Sequence, residues 1–329
     1  MQARGAQGNG ERAGQSDAPA QAVDAAGATH PFRGVLLLLA ALVLLAGMDA
    51  TTKFLVVRHP VPMVVALRYL VHCGLMLALL LPREGRALVQ AHRPGLVLLR
   101  GASLAVASLF LGLAFQRMPV AETTAINFLA PMAVVLLARP LLGERIGLLG
   151  WVAAVLGFAG VLLIVRPGSG LDGLGVACTL AAVAAGVVYQ LLSRVLAGGE
   201  RTVTLLFYTA LVGAVAFGLL LPGSWDQAPT GQEALLILLM GAAGGLGHYL
   251  YTAAYRHAPA SLLAPLNYTQ LLWAGLLGWL VFDHVPDAWS VAGMGIVALS
   301  GVLIALKSRL PVTPPASSPN STTSLEKKP

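Results

Sequence analysis

Four charged or titratable side chains lie within two long apolar segments near the start of the chain. Asp49 and Lys53 are four residues apart, and Arg68 and His72 repeat this spacing in the next segment. Residues four apart share one face of a helix, so each pair predicts a local cluster of charge. Such groups can exchange protons, hold an ionised ligand or stabilise a closed conformation. We therefore assign Asp49, Lys53, Arg68 and His72 as candidate coupling or gating residues.

Each of these candidates has a structural alternative. The acid-first order of Asp49 and Lys53 favours an ion pair, which would only tie helices together unless Asp49 faces a substrate or titrates. Arg68 either extends its charge to a polar surface or, if it points inward, offers a planar fork of donors to a carboxylate. His72 is either a packing residue or a group that exchanges protons near neutral pH. These alternatives remain open in the sequence.

A second set of polar residues suits the binding of a small molecule. Segment 119–138 carries Thr123 and Asn127 one turn apart, followed by Pro131, which removes a backbone hydrogen bond. Glu122 in the same segment lies near its end, where we expect it to reach water. We assign the candidate substrate-binding residues as Asn127, Thr123, Tyr189, Asn267, Tyr268 and Trp273. The alternative is that these side chains only hydrogen-bond neighbouring helices.

Patterns typical of catalytic, metal or cofactor sites are absent from the sequence. The seven histidines are scattered without an HxxxH spacing, and the two cysteines, Cys73 and Cys178, lie in apolar segments. We therefore predict no metal and no cofactor. The formal charge of +7 could suggest nucleic acid, but the basic residues cluster in alternate connections between apolar segments, so we expect no nucleic-acid partner.

The composition indicates a membrane protein. The chain is 57% hydrophobic and 11% charged, against about 25% charged for soluble domains. A helix needs about 20 apolar residues to cross a bilayer, and lipid offers no partners to free backbone groups. We predict an all-α polytopic protein with ten spans near residues 35–57, 63–81, 96–116, 119–138, 146–165, 173–195, 202–221, 233–254, 260–281 and 288–306.

The distribution of basic residues predicts how the chain is oriented. With the N-terminus inside, fifteen of the 21 lysines and arginines fall on the inner side and three on the outer side. Lys53, Arg68 and Arg100 lie within spans. Short inner loops are enriched in Lys and Arg, so we expect both termini in the cytoplasm and the protein in the cell (inner) membrane.

A weak internal repeat divides the spans into two halves. Residues of 114–144 recur about 140 positions later, where Ala114, Pro119, Asn127, Leu136 and Leu137 match Ala254, Pro259, Asn267, Leu276 and Leu277. Five helices per half is an odd number, so the second half would enter the membrane from the opposite side, giving an inverted repeat. We predict repeats at 34–167 and 168–308, flanked by disordered cytoplasmic tails at 1–33 and 309–329.

The chain resembles the EamA-type carriers of the drug/metabolite transporter superfamily. The resemblance covers about residues 34–307 and rests on Pro119, Asn127, Pro131, Gly143-Glu144-Arg145, Gly157 to Val161, Ala254-Tyr255-Arg256, Ala258 to Ser261, Pro265 to Trp273 and Gly301-Val302. It implies ten helices in two inverted repeats and transport of small metabolites without ATP hydrolysis. One departure is that Asp283-His284 stand where the first half has Gly143-Glu144.

The pattern as a whole predicts a secondary active or exchange transporter of small polar metabolites, such as amino acids, carboxylates or nucleoside-like compounds, working by alternating access. Its partners would be the substrate, the bilayer and, as coupling ion, protons, with the chain acting as a monomer or homodimer. The alternatives are an intramembrane enzyme, to which Asp49, His72 and Glu122 could contribute, and a non-transporting membrane scaffold.

Overall fold

The computed structural model describes residues 31–142, 148–166, 169–196, 199–258 and 263–307. Nearly all of the two predicted tails lies outside these residues. The described ranges contain eleven α-helices: α1 Pro31–Val56, α2 Val61–Glu84, α3 Pro94–Arg117, α4 Val120–Asn127, α5 Leu129–Leu142, α6 Leu148–Ile164, α7 Gly173–Leu196, α8 Thr202–Ser224, α9 Gly231–His257, α10 Thr269–Phe282 and α11 Ala288–Lys307. Two 3₁₀ helices cover Gly85–Leu88 and Ala264–Tyr268.

The helices confirm the prediction of an all-helical, multi-pass membrane protein. Six of the described helices (α1, α2, α3, α7, α8 and α9) are long and apolar enough to cross a bilayer. Shorter apolar helices cover 120–134, 151–164 and 288–303. With α10, which follows the second 3₁₀ helix, these elements account for ten spans, two of which are broken into shorter pieces.

The two broken spans occupy equivalent places in the two halves. In the first half, α4 ends at Asn127 and α5 starts at Leu129, with Phe128 between them. In the second, the 3₁₀ helix Ala264–Tyr268 leads into α10. Pro131 lies in the first turn of α5, where its missing N–H would otherwise bond to the carbonyl of Asn127. The predicted break is therefore present, but it falls at Phe128, three residues before the proline.

Helix starts on one side of the bundle carry side-chain caps. Thr230 and Glu233 form a reciprocal capping box at the start of α9. Asp172 accepts a hydrogen bond from the Gly175 amide at α7, and Asp287 accepts one from the Ser290 amide at α11. These caps satisfy amides that have no partner within the helix.

Packing between the halves follows a pseudo-twofold pattern. Helix α1 packs on α9, and the equivalent pair α7 and α3 packs in the same way. Likewise α2 contacts both α8 and α9, while α8 contacts both α2 and α3. Helices α6 and α11, which end the two halves, pack on each other. Exchanging the halves therefore maps the contacts onto themselves, as expected for two five-helix repeats.

Candidate functional site

A cavity of about 810 Å³ lies between the two halves. It receives side chains from both broken spans and from the long helices around them. Its polar lining consists of Asp49, Arg68, Tyr69, His72, Arg100, Ser108, Asn127, Tyr189, Gln190, Ser193, Glu200, Thr202, Thr209, His248, Tyr251, Thr252, Asn267, Tyr268 and Gln270. A smaller recess of about 140 Å³ shares Asp49, Asn127, Gln190 and Gln270 with it. The cavity therefore combines many polar side chains with an apolar lining that includes Leu45, Leu104 and Leu111.

The two asparagines predicted from the repeat both line this cavity. Asn127 is the last residue of α4, and Asn267 lies in the 3₁₀ helix of the second half. Helix breaks leave backbone groups without regular partners, which is tolerated in a membrane only where protein or a water-filled cavity covers them. Tyr268 lines the same cavity and stacks on Phe128, with ring centroids 4.8 Å apart.

The expected pair between Asp49 and Lys53 is wrong. Asp49 is buried and lines the cavity, where its Oδ2 accepts a hydrogen bond from Gln270 Nε2 at 3.3 Å. The Lys53 ammonium instead donates to the backbone carbonyls of Phe115 and Met118, at 2.9 and 2.8 Å. These carbonyls end α3, and a cation is favourable at the C-terminus of a helix. Tertiary acceptors have therefore displaced the local partner.

Arg68 and His72 both face the cavity. The guanidinium of Arg68 lies over the Tyr69 ring, with Cζ 5.0 Å from its centroid, and Nη1 is 3.9 Å from Met48 Sδ. His72 is buried against α9, where a Cβ on Gly245 would come within 2.9 Å of its ring. The glycine in α9 therefore makes room for the imidazole.

Arg100 organises one wall of the cavity and was not among the predicted site residues. Its Nε donates to Ser193 Oγ at 2.7 Å, Nη1 to Leu205 O and to Thr209 Oγ1, and Nη2 to Tyr189 Oη at 2.8 Å. Its guanidinium also stacks on the Tyr189 ring. The predicted residue Tyr189 is thus held in place by an arginine whose only sequence signal was a charge inside an apolar segment.

Two predicted substrate-binding residues do not line the cavity. Thr123 is fully buried, and its hydroxyl donates to the Pro119 carbonyl of its own helix at 2.7 Å. Its neighbour Thr124 lines the smaller recess, and Asn127 lines both the recess and the cavity. Trp273 is half-buried one turn beyond Gln270, outside the lining. Gln190, Gln270 and His248 contribute to the cavity although they were not assigned.

The end of the bundle near Lys53 is closed by polar contacts. Glu122 is 3% exposed, so the expectation that it reaches water is wrong. Its Oε1 lies 3.0 Å from His284 Nε2. His284 is placed there by the end of α10, where Asp283 adopts a left-handed conformation (φ 52°) and the His284 amide bonds to the Gly278 carbonyl. The departure at Asp283-His284 thus supplies a partner for a buried carboxylate.

An ion pair joins the two halves at the same end. Arg166 Nη2 lies 2.6 Å from Asp287 Oδ2. The hydrogen bond from Arg166, followed by that from the Ser290 amide, lowers the pKa of the Asp287 carboxyl to about 2. The pair therefore stays charged at physiological pH.

The cavity extends towards the opposite end, at the connection from α7 to α8. Glu200 of that connection and Thr202, the first residue of α8, belong to its lining. Glu200 Oε1 accepts a hydrogen bond from the Arg93 amide at 2.7 Å. Nearby, Arg201 pairs with Glu84 at 2.6 Å. The cavity thus reaches one end of the bundle while contacts of Lys53, Glu122 and Arg166 close the other.

Comparison with known proteins adds to this geometry. A sequence model described as the EamA-like transporter family matches residues 32–166 and 173–306. The chain is 31% identical over 229 residues to a riboflavin transporter of Rhizobium johnstonii, covering 68% of this chain and 74% of that protein. It is 26% identical over 216 residues to an S-adenosylmethionine uptake transporter of Rickettsia felis, covering 65% and 72%.

Two further comparisons span more of the chain. A pseudopaline exporter, CntI, of Pseudomonas aeruginosa is 27% identical over 277 residues, covering 82% of this chain and 95% of that protein. A solved crystal structure matches 87% of this chain and 100% of its own with a TM-score of 0.62. At 21% identity, this last likeness shows the fold alone.

Proposed function

The chain belongs to the EamA-like transporter family, and on that premise we propose that it moves small polar metabolites across the cell (inner) membrane by alternating access, as a secondary active or exchange transporter. Family membership makes it a membrane transporter of small metabolites and sets aside the alternatives of an intramembrane enzyme and a scaffold. We propose, beyond family membership, the class of substrate, the source of energy for transport and the identity of the membrane.

The observation that carries this proposal is the asymmetric cavity. It runs from the broken spans at Asn127 and Asn267 to the connection at Glu200, and its other end is sealed by Lys53 and by Glu122 with His284. A site between two repeats that reaches one side only is what an alternating-access carrier needs in one of its two states. The basic-residue bias predicts that the open side is cytoplasmic.

The lining supports polar, partly aromatic substrates. Amides from Asn127, Gln190 and Gln270 offer both donors and acceptors, and the rings of Tyr189 and Tyr268 offer stacking faces. Relatives named for riboflavin, S-adenosylmethionine and pseudopaline indicate that this fold accommodates metabolites of that kind. We infer that a compound with a planar ring or several polar groups occupies the cavity.

Flux into liposomes tests the proposal. Purified protein is reconstituted, and riboflavin, S-adenosylmethionine, amino acids and dicarboxylates are assayed one at a time, in both directions and without ATP. We expect saturable flux for at least one class. Flux for none of them, from protein that stays monodisperse and folded, would reject the proposed substrate class.

A pair of glycine variants shows whether flux uses this cavity. Gly186 lines the cavity, and a Cβ built on it meets only Ala130 Cβ at 3.8 Å, so Gly186→Leu should fold and project an apolar side chain into the cavity. Gly74, on the exposed face of α2, has nothing within 4 Å of its Cβ position. We expect Gly186→Leu to abolish flux and Gly74→Leu to retain it. Equal flux from both would place the substrate elsewhere.

A further inference from the structure

The guanidinium of Arg68 has donors that the protein does not use. It lines the cavity and is half-buried. Its neighbours among the described residues are the Met48 sulfur, at 3.9 Å, the Tyr69 side chain and, at longer range, the Asp49 carboxylate. A guanidinium has five N–H donors in a fixed fork, so these neighbours leave most of them without an oxygen acceptor. Arg68 is therefore ready to bind an acceptor from outside the protein.

Arg100, in the same cavity, has donors for a ligand as well as structural partners. It is 5% exposed, and its four hydrogen bonds go to hydroxyls and a carbonyl, so none of them neutralises its charge. One Nη2 hydrogen remains. Because the Tyr189 hydroxyl accepts from Arg100, its own hydrogen is available to donate into the cavity.

The charges in the central cavity do not balance. Asp49 is the carboxylate near Arg68. It accepts a hydrogen bond from Gln270 and forms no ion pair with Arg68. Glu200 lies at the mouth, where its Oε1 accepts a hydrogen bond from the Arg93 amide and its Oε2 lies 3.5 Å from His92. Arg68 and Arg100 line the same cavity. A buried charge without a counter-charge is costly.

We propose that the cavity holds an oxyanion group, a carboxylate or a phosphate, of its soluble substrate against Arg68, with the Arg100–Tyr189 wall donating from the other side. The forked geometry of a guanidinium suits such groups. The inference rests on the proposed function, since it names the chemical class of cargo for that same cavity. The substrate is thus an anion or a zwitterion, and a neutral compound lacks the group that Arg68 binds.

Thermal unfolding with inorganic phosphate as the probe tests this proposal. The protein is purified in a neutral detergent, and phosphate is titrated at constant ionic strength against chloride. We expect a saturable rise in the unfolding midpoint of wild type, reaching about 3 °C at ten times the dissociation constant. Arg68→Gln should abolish the rise. If that variant does not fold, Arg68→Lys keeps the charge, loses the fork and should weaken phosphate binding about tenfold.

Two control variants separate the site from general effects of the ion. Arg58→Gln removes an exposed arginine outside the cavity and should keep the phosphate response. Asp49→Asn removes the competing carboxylate and should strengthen phosphate binding, which mere structural damage would not do. The proposal is overturned if wild type shows no saturable rise, or if Arg68→Gln or Arg68→Lys responds as wild type does. It is also overturned if phosphatidylglycerol protects in place of phosphate, because the oxyanion would then be a lipid headgroup.

The flux assay separates failure of this proposal from failure of the proposed function. If phosphate binding depends on Arg68 but no compound crosses the liposome membrane, the anion site stands and the proposed transport fails. If flux is present but is equal for riboflavin and for riboflavin 5′-phosphate, and equal for dicarboxylates and their diamides, transport stands and the anion site fails.

Discussion

Glu122 is a buried carboxylate that contacts His284 and lies near the Lys53 ammonium. Its Oε1 contacts His284, and its Oε2 has no hydrogen-bond partner among the described residues. Removing the imidazole leaves the carboxylate buried without that contact. We predict that His284→Ala destabilises the protein by about 1–3 kcal/mol, measured as a lower midpoint of thermal unfolding in detergent.

A double-mutant cycle isolates that contact. Glu122→Gln combined with His284→Ala should show a coupling of at least about 0.5 kcal/mol. His92→Ala serves as the control, because His92 contacts Glu200 at 3.5 Å but is 78% exposed, and exposed contacts contribute little. Additive effects of the two substitutions would mean that the contact is not energetically significant.

Asp49 and Lys53 do not form the ion pair that their spacing predicted, and the reason is that spacing determines only which helix face a residue occupies. Spacing of four put both charges on one helix face, which made an ion pair reasonable. It carried no information about the carbonyls of Phe115 and Met118, which come from a segment about 60 residues away and accept from Lys53. The positions of Asn127 and Asn267 were better determined, because the repeat ties them to equivalent places in the fold.

At the scale of elements, the break between α4 and α5 places Asn127 in the cavity. Pro131 has no N–H to bond with the Asn127 carbonyl, so a continuous helix is disfavoured. We predict that Pro131→Ala lets α4 and α5 join and rotates Asn127 away from the substrate. Losing one hydrogen bond of about 1.4 kcal/mol would weaken substrate binding about tenfold, seen as a higher KM for flux.

Pro82→Ala is the matched control for this change. Pro82 also lies inside a helix, α2, but it is exposed near the end of that helix and outside the cavity lining. It should leave KM unchanged. A wild-type KM in Pro131→Ala would show that the break does not position the asparagine.

The contact between α6 and α11 depends on glycine at two facing positions. A Cβ on Gly160 would lie 2.8 Å from the Gly293 carbonyl oxygen, and one on Gly293 would lie 2.6 Å from the Gly160 oxygen. Overpacking costs about 1–3 kcal/mol, so Gly293→Ala should lower the unfolding midpoint. Gly295, on the same helix, has nothing within 4 Å, and Gly295→Ala should be tolerated. Equal effects of the two changes would contradict backbone contact here.

Span positions were predictable because each span needs a long apolar run, and that requirement is local in sequence. Details of the broken spans were not, because a proline marks a weak point without fixing where the chain turns. The segment predicted as one span at 119–138 is two helices meeting at Phe128. Similarly, Thr123 and Thr124 are neighbours in sequence, and only packing decides which of them faces the cavity.

For the whole molecule, the repeat and the charge bias together predict the topology. Ten spans with fifteen basic residues on one side predict that both termini lie in the cytoplasm. We predict that a reporter active only in the cytoplasm works when fused to either end, and that a reporter active only outside does not. An external signal from one end would require an odd number of spans and would contradict the inverted repeat.

The second property of the whole molecule is the coupling of transport to a proton gradient, which depends on titratable groups in the cavity. Asp49 and His72 are titratable groups that line it, with Arg68 and His248 beside them. The expected ion pair with Lys53 would have held Asp49 charged and left His72 as the group that exchanges protons. Since Lys53 is bonded elsewhere, we expect Asp49 to be the group that gains and loses a proton in the proposed transport cycle.

We predict that a proton gradient drives flux and that Asp49→Asn removes this response while leaving exchange of substrate across the membrane. The asparagine amide has the same shape and can still accept a hydrogen bond from Gln270, but it cannot gain or lose a proton. Substrate exchange should therefore continue while the response to the proton gradient is lost. His72→Gln tests the earlier candidate in the same assay, which compares flux with and without an imposed pH gradient. Flux in wild type that ignores the gradient would rule out proton coupling. A response lost in His72→Gln but kept in Asp49→Asn would assign the proton to the imidazole.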